Sequence, residues 1–496
     1  MLWTLLLLIV GLLLSLLFCA RSRRPNEPPL DKGLIPWLGH ALSFGKDAPR
    51  FLAQMKAKHG DIFTVRVAGC YVTILLDPNS FDAVLNDTIC LDSTRNRSKI
   101  IHRVFDLHLP SVQPGAERRW MEKHFQGLSL SRLVTSMDAE LQEILWSEQT
   151  GWGLTEWKPE GLYSLCYSFL FRAGYLTLFE RKENAAAVYK EFRKFDELLA
   201  KLARGCVRSG ERKEAYTSRQ RLWELLSPKW LHGGASDLCW QQSYHSFLQQ
   251  EGVDAEMQRK ALLLQLWTTQ CNAGPAAFWL LAFLLKHPEA MEAVQAEIRG
   301  LTLQEGSQQR PHIQRLETQR TPVFDSVLSE TLRLTAAVMI TREVVKDKAL
   351  RMGNGETYHL RRGDKVSLFP LLSPQMDPHI HQDPQEFKYD RFLNEDLTMK
   401  DEFYKEGRRL KYFTMPWGAG SNICVGKDFA VTSIKKFVFL ILTHLELKLC
   451  DPDAELPPFN RSRYGFGMLQ PEGDLQIQYR LKRTLNKMSQ SDLCEQ

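Results

Sequence analysis

The sequence predicts a mainly α-helical fold with small β-sheets (α+β), on three observations. Helical patterning dominates, from Glu117 to Gln149, through most of 150–255, and again over Asp254–Lys286, Val327–Leu334 and Phe429–Leu449. Strand-like alternation is confined to short runs: Asp61–Val67, Tyr71–Leu76, Ala337–Val345, His359–Phe369 and Arg463–Leu481. The composition, 44% hydrophobic and 25% charged, is that of an ordinary folded chain. Length alone, 496 residues, would allow two or three domains.

The net charge of +6 is mild for this size, and no basic stripe with interleaved aromatics occurs, so nucleic acid is not an expected partner. The ten cysteines are scattered without a C-x-x-C pair, which fits a reducing compartment and mostly inert buried thiols. Asn86, Asn96 and Asn460 head glycosylation-type triplets, which are chance matches if the domain faces the cytoplasm.

In chain order, Met1 to Ala20 contains no charged side chain, and Arg21, Arg23 and Arg24 follow at once. A helix of about twenty residues spans a bilayer, and positive charge after it places that side in the cytoplasm, so residues 1–20 are expected to be an uncleaved transmembrane anchor. A cleaved signal peptide would want positive charge before the apolar run and a small-residue cleavage site. Residues 21–30, with Pro25, Pro28 and Pro29, are expected to be a stiff basic linker. The globular part follows over 31–485, with 486–496 as a flexible tail.

Asp61–Val67 and Tyr71–Leu76 read as paired strands across Ala68-Gly69-Cys70, and Pro78–Leu85 reads as helical. From about Ile89 to Pro114 the periodicity is weak and loop with short helical pieces is expected; by themselves Arg103 and Leu109 there read as a solvated cation and a packed apolar side chain. On the Glu117–Gln149 helix Trp120 and His124 lie one turn apart. Between 150 and 255, Gly205–Lys213 and His232–Ser236 read as loops.

Ala261–Leu285 has no charged residue, the formal pattern of a membrane span. Gln265, Thr268, Thr269, Gln270 and Asn272 crowd its middle, however, which suits a helix crossing a protein interior better than one in lipid. Pro275 lacks an N–H, so the Cys271 carbonyl loses its helical partner and a kink is expected. Asn272 beside it is either a polar notch facing a site or the group that satisfies the freed carbonyl.

Glu330 and Arg333 are three apart on a helix and can pair on one face. Thr341 and Arg342 lie on the strand region that follows. Arg342 is either a fork for a carboxylate or a sheet-edge arginine in water. His359 to Phe369 reads as two short strands turning at Arg362-Gly363-Asp364, with Lys365 just past the turn. The stretch from Pro416 to Ala430 packs glycines and one proline around Cys424, with an apolar helix starting just after it. A thiolate there would meet amide N–H groups that lower its pKa and suit it to hold a metal. The tail from Arg463 alternates like a hairpin, led in by Tyr464-Gly465-Phe466-Gly467.

The spacing Trp417-x-x-Gly420-x-x-x-Cys424-x-Gly426 resembles the haem-binding loop of the cytochrome P450 family, with Trp417 where a phenylalanine is usual and Asn422 where Arg or His is usual. The order Glu330-x-x-Arg333, then Arg391, then Cys424 resembles the family frame, and the resemblance runs over nearly the whole chain. It implies the cytochrome P450 fold, a single catalytic domain at 31–485, haem b as cofactor and Cys424 as the axial thiolate. It implies a structural role for Glu330, Arg333 and Arg391. Trp120, His124, Arg342 and Asn422 become haem-edge candidates, and Arg103, Leu109, Asn272, Thr341, Arg342 and Lys365 become substrate candidates, Lys365 standing where Arg would be expected.

At the central helix the family's monooxygenases resemble Ala-Gly-x-Asp/Glu-Thr, whereas this chain has Cys271-Asn272-Ala273-Gly274-Pro275, without acid or threonine. Strings such as Ile35-Pro36-Trp37-Leu38-Gly39, Gly274-Pro275-Ala276-Ala277-Phe278-Trp279 and Ser462-Arg463-Tyr464-Gly465-Phe466-Gly467 resemble those of the family's endoperoxide-isomerising branch. That likeness implies isomerisation of prostaglandin H2 without NADPH, reductase or dioxygen, with Asn272 contacting the substrate oxygen. It also implies the endoplasmic reticulum membrane as location, the catalytic domain on the cytoplasmic side, and cyclooxygenase as substrate source. The alternative is an NADPH-dependent sterol hydroxylase of the 12α type, whose branch resembles this helix in having Asn and a nearby Pro, so that loss of the acid and threonine does not by itself exclude hydroxylation; Ala273, where those hydroxylases have Thr, is the residue that separates the two. A non-catalytic haem protein is a third class, against which no sensory module is present.

Overall fold

Helices that are apolar on every face must be buried, and two of them form the centre of the molecule. The computed structural model describes residues 2–18, 21–113, 115–149, 156–227, 239–303 and 320–482. Leu162–Phe179 is buried along nearly its whole length and packs against Ala273–Lys286, which is buried from Gly274 to Leu284. Gly174 and Gly274 permit close approach: an added Cβ at Gly274 would sit 2.8 Å from the Tyr167 Cα. Gly127–Gln149 and Lys427–His444 complete this core, with Trp279, Phe278, Phe437 and Phe169 in it.

Beside the helices lies a six-stranded sheet in the order Leu30–Asp31, Ile62–Val67, Cys70–Leu75, Lys365–Leu368, Ile340–Val344, Leu91–Asp92. A three-stranded sheet pairs Leu445–Leu449 with Gln476–Leu481 and Lys158–Gly161. The short strand Phe466–Met468 pairs with Ala336–Val338, which directly follows the helix Pro322–Thr335.

Several boundaries differ from the sequence reading. Thr94–Phe105 is a full helix within the stretch read as loop; its amphipathic face packs Val104 and Phe105 inward. The predicted 117–149 helix is two, Ala116–His124 and Gly127–Gln149, with Gly127 at φ 55° as the new one begins. The loop read at Gly205–Lys213 ends early, because Ser209–Leu226 is already helical. The two strands flanking Arg362-Gly363-Asp364 are not a hairpin. Thr357–Leu360 pairs back to Lys348–Arg351, while Lys365–Leu368 runs parallel to Cys70–Leu75 and antiparallel to Ile340–Val344. Likewise Phe466–Met468 and Gln476–Leu481 alternate as predicted but join different sheets. The His232–Ser236 loop and the 486–496 tail lie outside the described residues.

No helix among the described residues is long and apolar enough to cross a membrane. Leu2–Phe18 is a 17-residue helix, about 25 Å long at 1.5 Å per residue. Residues 21–30 are pinned rather than free. Glu27 is buried, and its carboxylate accepts from Arg361 Nη2 at 2.8 Å and from the Arg24 N–H at 2.9 Å. Arg21 pairs with Asp364 and lies over the Tyr71 ring. Burial would raise the Glu27 carboxyl, but the Arg361 hydrogen bond, the Arg24 N–H and the Arg21 charge pull it down to about 2.

Candidate active site

The site is organised by the break in the central helix. Ala255–Gln270 ends, Cys271 and Asn272 turn, and Ala273–Lys286 resumes. Intrahelical bonds persist on either side, Cys271 N–H to the Trp267 carbonyl at 3.1 Å and Ala276 N–H to the Asn272 carbonyl at 3.1 Å. Proline at 275 removes the donor the Cys271 carbonyl would use. The polar cluster before the break is satisfied by protein: Gln265 Nε2 donates to Glu117 at 2.8 Å, and the Thr268 and Thr269 hydroxyls donate to the Gln265 carbonyl.

Asn272 Oδ1 does not turn to its own helix. It accepts from the Met468 N–H at 3.0 Å, on the strand Phe466–Met468. Gly467 at φ 93° allows this approach, since an added Cβ there would lie 2.5 Å from Asn272 Oδ1. Among the described residues Nδ2 has no acceptor, so Asn272 presents a donor. Gly467 and Met468 carry no chemical signal of their own, and only the lead-in Tyr464-Gly465-Phe466-Gly467 pointed to this strand.

The loop around Cys424 is held from several sides. The Cys424 N–H donates to the Trp417 carbonyl at 2.8 Å, and Gly418 N–H to the Met415 carbonyl at 3.2 Å. Gly418 has φ 72°, and a Cβ there would meet the Asn422 carbonyl oxygen at 2.9 Å. Arg118, which the sequence reading passed over, donates to the Ile423 carbonyl at 3.0 Å. Cys424 is a free, solvent-exposed cysteine. Desolvation by the surrounding protein pushes this thiol up; the Gly426 N–H and the Arg118 charge act in the opposite sense without overcoming it. The sequence expectation of a lowered thiol is thus reversed for the unliganded group, because desolvation outweighs one amide at the helix start.

Arg342 and Asn422 come together. With its carboxamide oxygen toward the guanidinium, Asn422 accepts from Arg342 Nη1 at 2.9 Å and Nη2 at 2.7 Å. Arg342 is buried and in no ion pair among the described residues, and burial lowers its pKa against the pull of Asp92. Trp120 stacks on His124 with ring centroids 4.0 Å apart. His124 is committed at both nitrogens, Nδ1 to the Trp120 carbonyl at 2.8 Å and Nε2 to Ser243 Oγ at 2.9 Å. It packs, and only the Trp120 indole N–H is left without an acceptor among the described residues.

The other substrate candidates have protein partners of their own. Thr341 Oγ1 shares a 2.9 Å hydrogen bond with Ser367 Oγ across the sheet, and Lys365 Nζ donates to Asn96 Oδ1 at 3.0 Å. Leu109 packs on the main core. Arg103 Nη1 donates to the Ala203 carbonyl at 2.8 Å.

Glu330, Arg333 and Arg391 form one buried cluster. Glu330 accepts from Arg333 Nε at 2.7 Å and Nη2 at 2.8 Å, from Arg391 Nε at 2.9 Å, and from the Lys388 N–H at 3.1 Å. Arg333 Nη1 reaches the carbonyls of Gln375 and Pro384, both at 2.7 Å. Gln375 in turn accepts from the Met415 N–H at 3.4 Å, which leads into the Cys424 loop.

Comparison with known proteins agrees with this geometry. The family model Cytochrome P450 matches residues 260–477. Prostacyclin synthase of Homo sapiens is 49% identical over 93% of this chain and 95% of its own length, and that of Bos taurus is 48% identical over the same shares. The chain belongs to the cytochrome P450 family. Another member, the 7-alpha-hydroxycholest-4-en-3-one 12-alpha-hydroxylase of Homo sapiens, is 40% identical over 97% of the chain and 98% of its own length. The solved structure of retinoic acid bound cyanobacterial CYP120A1 superposes with a TM-score of 0.71, covering 92% of this chain and 99% of that one. At 19% identity it shows the cytochrome P450 fold alone.

Haem is the cofactor of this cytochrome P450. The residues present fit it. Cys424 offers a free, solvent-exposed thiol, Arg342 is a buried guanidinium lacking a carboxylate, and the Trp120 N–H lacks an acceptor. A thiolate ligand and donors for two propionates are what haem requires.

Proposed function

We propose that this chain isomerises prostaglandin H2 to prostacyclin. The observation that carries the reading, beside the 49% identity to a prostacyclin synthase, is the helix break. It holds no acid or threonine, its only polar side chain presents an amide N–H, and Thr268 and Thr269 are occupied by the Gln265 carbonyl. An amide donates a hydrogen bond but does not deliver a proton, so the site is poorly equipped to cleave dioxygen and well equipped to hold an oxygen that the substrate already carries.

In this reading Cys424 would hold the haem iron, and Arg342 and Trp120 would donate to its propionates. Bound there, haem would supply the one-electron chemistry by which the O–O bond is broken. Asn272 Nδ2 orients the endoperoxide, and the protein's share of the rate is this positioning. The oxygen on carbon 9 closes onto carbon 6, carbon 6 loses a proton, and the oxygen on carbon 11 gains one. Substrate and product are isomers, so no external electron or proton is consumed.

The reading extends to place. Leu2–Phe18 has no charged residue, and Leu34, Trp37 and Leu42 are 97%, 60% and 65% exposed just after the linker. These support a single-pass anchor in the endoplasmic reticulum membrane with the catalytic domain on the cytoplasmic side, where a cyclooxygenase would supply the endoperoxide. The test is a product assay with purified haem-loaded protein and prostaglandin H2, without NADPH or reductase. 6-keto-prostaglandin F1α, the stable hydrolysis product, is expected. Its absence, with NADPH-dependent hydroxylation of a sterol once reductase is added, would replace the reading by the hydroxylase one.

A further inference from the structure

Prostaglandin H2 carries a carboxylate at the end of one alkyl arm, and a pocket that accepts it must do something with that charge. The helix Ala185–Arg204 ends beside the strand Phe466–Met468. Three cations on this helix have carboxylates to face, Lys194 with Glu191, Lys201 with Glu211 and Arg193 with Glu197, whereas Lys190 and Arg204, its last residue, are in no ion pair among the described residues. Arg204 Nη2 donates to the Tyr464 carbonyl at 2.8 Å, and its guanidinium carbon lies 5.3 Å from the centre of the Phe466 ring. Arg103 sits on the other side of the same helix end, bonded to the Ala203 carbonyl and within 3.5 Å of where a Gly205 side chain would begin. Among the described residues neither arginine is in an ion pair.

The strand that Arg204 covers is the one that holds Asn272. Phe466 meets Arg204, and two residues on the Met468 N–H meets Asn272 Oδ1; two strand residues span about 7 Å. Phe466 and Met468 thus place Arg204 and Asn272 against neighbouring positions of one strand.

We infer that Arg204, flanked by Arg103, binds the carboxylate of the substrate and so selects free acids over neutral lipids. The inference rests on the isomerase reading for the identity of the acid but not for the presence of an acid-binding site. A guanidinium forks onto a carboxylate with two donors, and such a charge-assisted bond is worth about tenfold to a hundredfold in affinity.

The experiment titrates the haem absorption band of full-length, haem-loaded protein with a stable C20 analogue of the endoperoxide, one ring oxygen replaced by carbon, and with its methyl ester. Wild type is expected to bind the acid at least about tenfold more tightly than the ester. Arg204→Gln is expected to bind both with the ester's affinity, and Arg204→Lys to recover part of the preference. A merely structural role would weaken acid and ester alike. Equal affinity of wild type for acid and ester, or a preference that survives in Arg204→Gln, would overturn the inference. Should Arg204→Gln fail to load haem, Arg204→Lys and the acid-to-ester ratio of wild type decide it. If wild type gave no prostacyclin yet kept the acid preference, the isomerase reading would fall and the carboxylate site would stand.

Discussion

Replacing Glu330 by alanine removes one carboxylate that faces two guanidinium groups. Both Glu330 and Arg333 are 0% exposed, so water cannot take the place of the lost oxygens. Arg333 would lose the partners of Nε and Nη2 and keep only the Gln375 and Pro384 carbonyls at Nη1, with a longer contact to Glu386. Arg391 would lose its Nε partner but retain the carbonyls of Gln382, Asp383 and Glu386. Breaking a buried pair by removing one member costs about 3–5 kcal/mol, a large part of the ~5–15 kcal/mol that folded proteins have in total. The loss also reaches the thiolate loop, because Gln375 sits between Arg333 and the Met415 N–H. The expected outcome for Glu330→Ala is a urea midpoint lower by up to about 1 M, since the denaturant slope grows with chain size, with haem released before the chain unfolds. Tryptophan fluorescence and the haem absorption band, followed in the same titration, separate the two events. Lys388→Ala is the control, since only the Lys388 backbone N–H reaches Glu330; it should stay within about 0.5 kcal/mol of wild type. A Glu330→Ala protein within about 1 kcal/mol of wild type, well short of the about 3 kcal/mol at the low end of that range, and retaining haem would refute the reasoning.

Cys424→Ala is expected to lose haem ligation and all turnover, checked by the absorption spectrum and the product assay. Because burial raises the thiol and ligation needs the thiolate, wild-type apoprotein should bind ferric haem more tightly as pH rises, releasing a proton. Asn272→Ala should lower turnover by about tenfold or more with haem still bound, as removal of one positioned donor does; unchanged kinetics would make Asn272 a packing residue. His381 is buried and its pKa falls to about 4, chiefly by desolvation, although its ring nitrogen meets the Phe413 carbonyl at 3.0 Å. The unfolded chain binds this proton below its ordinary value and the folded chain does not until near pH 4, so stability should fall as pH drops through that window, by about 3 kcal/mol from this group. His381→Gln should flatten that slope in urea midpoints measured across the range.

Much of the site was legible because its signals are local. A cysteine among glycines ahead of an apolar helix, an acid and a base three apart, and a proline within a polar stretch of an apolar rod all report chemistry or backbone geometry at fixed short spacing. The kink at Pro275 follows from a missing N–H, and the pairing of Glu330 with Arg333 from helix periodicity. The helical content and the short strands follow from the same periodicities.

Which strand pairs with which, and which amide faces which carbonyl, is not written in any window of sequence. His359–Phe369 and Arg463–Leu481 each alternate as a hairpin should, yet their strands join different sheets, because alternation records which face is buried and not the identity of the neighbour. By sequence His124 is a core or a haem-edge residue alike, and only the fold shows both its nitrogens held, by Ser243 and the Trp120 carbonyl. Asn422 and Arg342, far apart in the chain, meet only when the thiolate loop closes over the sheet. Local patterns in the chain were enough for the fold class, the glycine-rich loop around Cys424 and the unusual helix break. The tertiary structure alone decided that Asn272 offers a donor, since its oxygen is taken by the N–H of Met468, and that Arg204 is left without an acid. Hydrogen-bond direction depends on partners brought from distant parts of the chain, and only packing selects them.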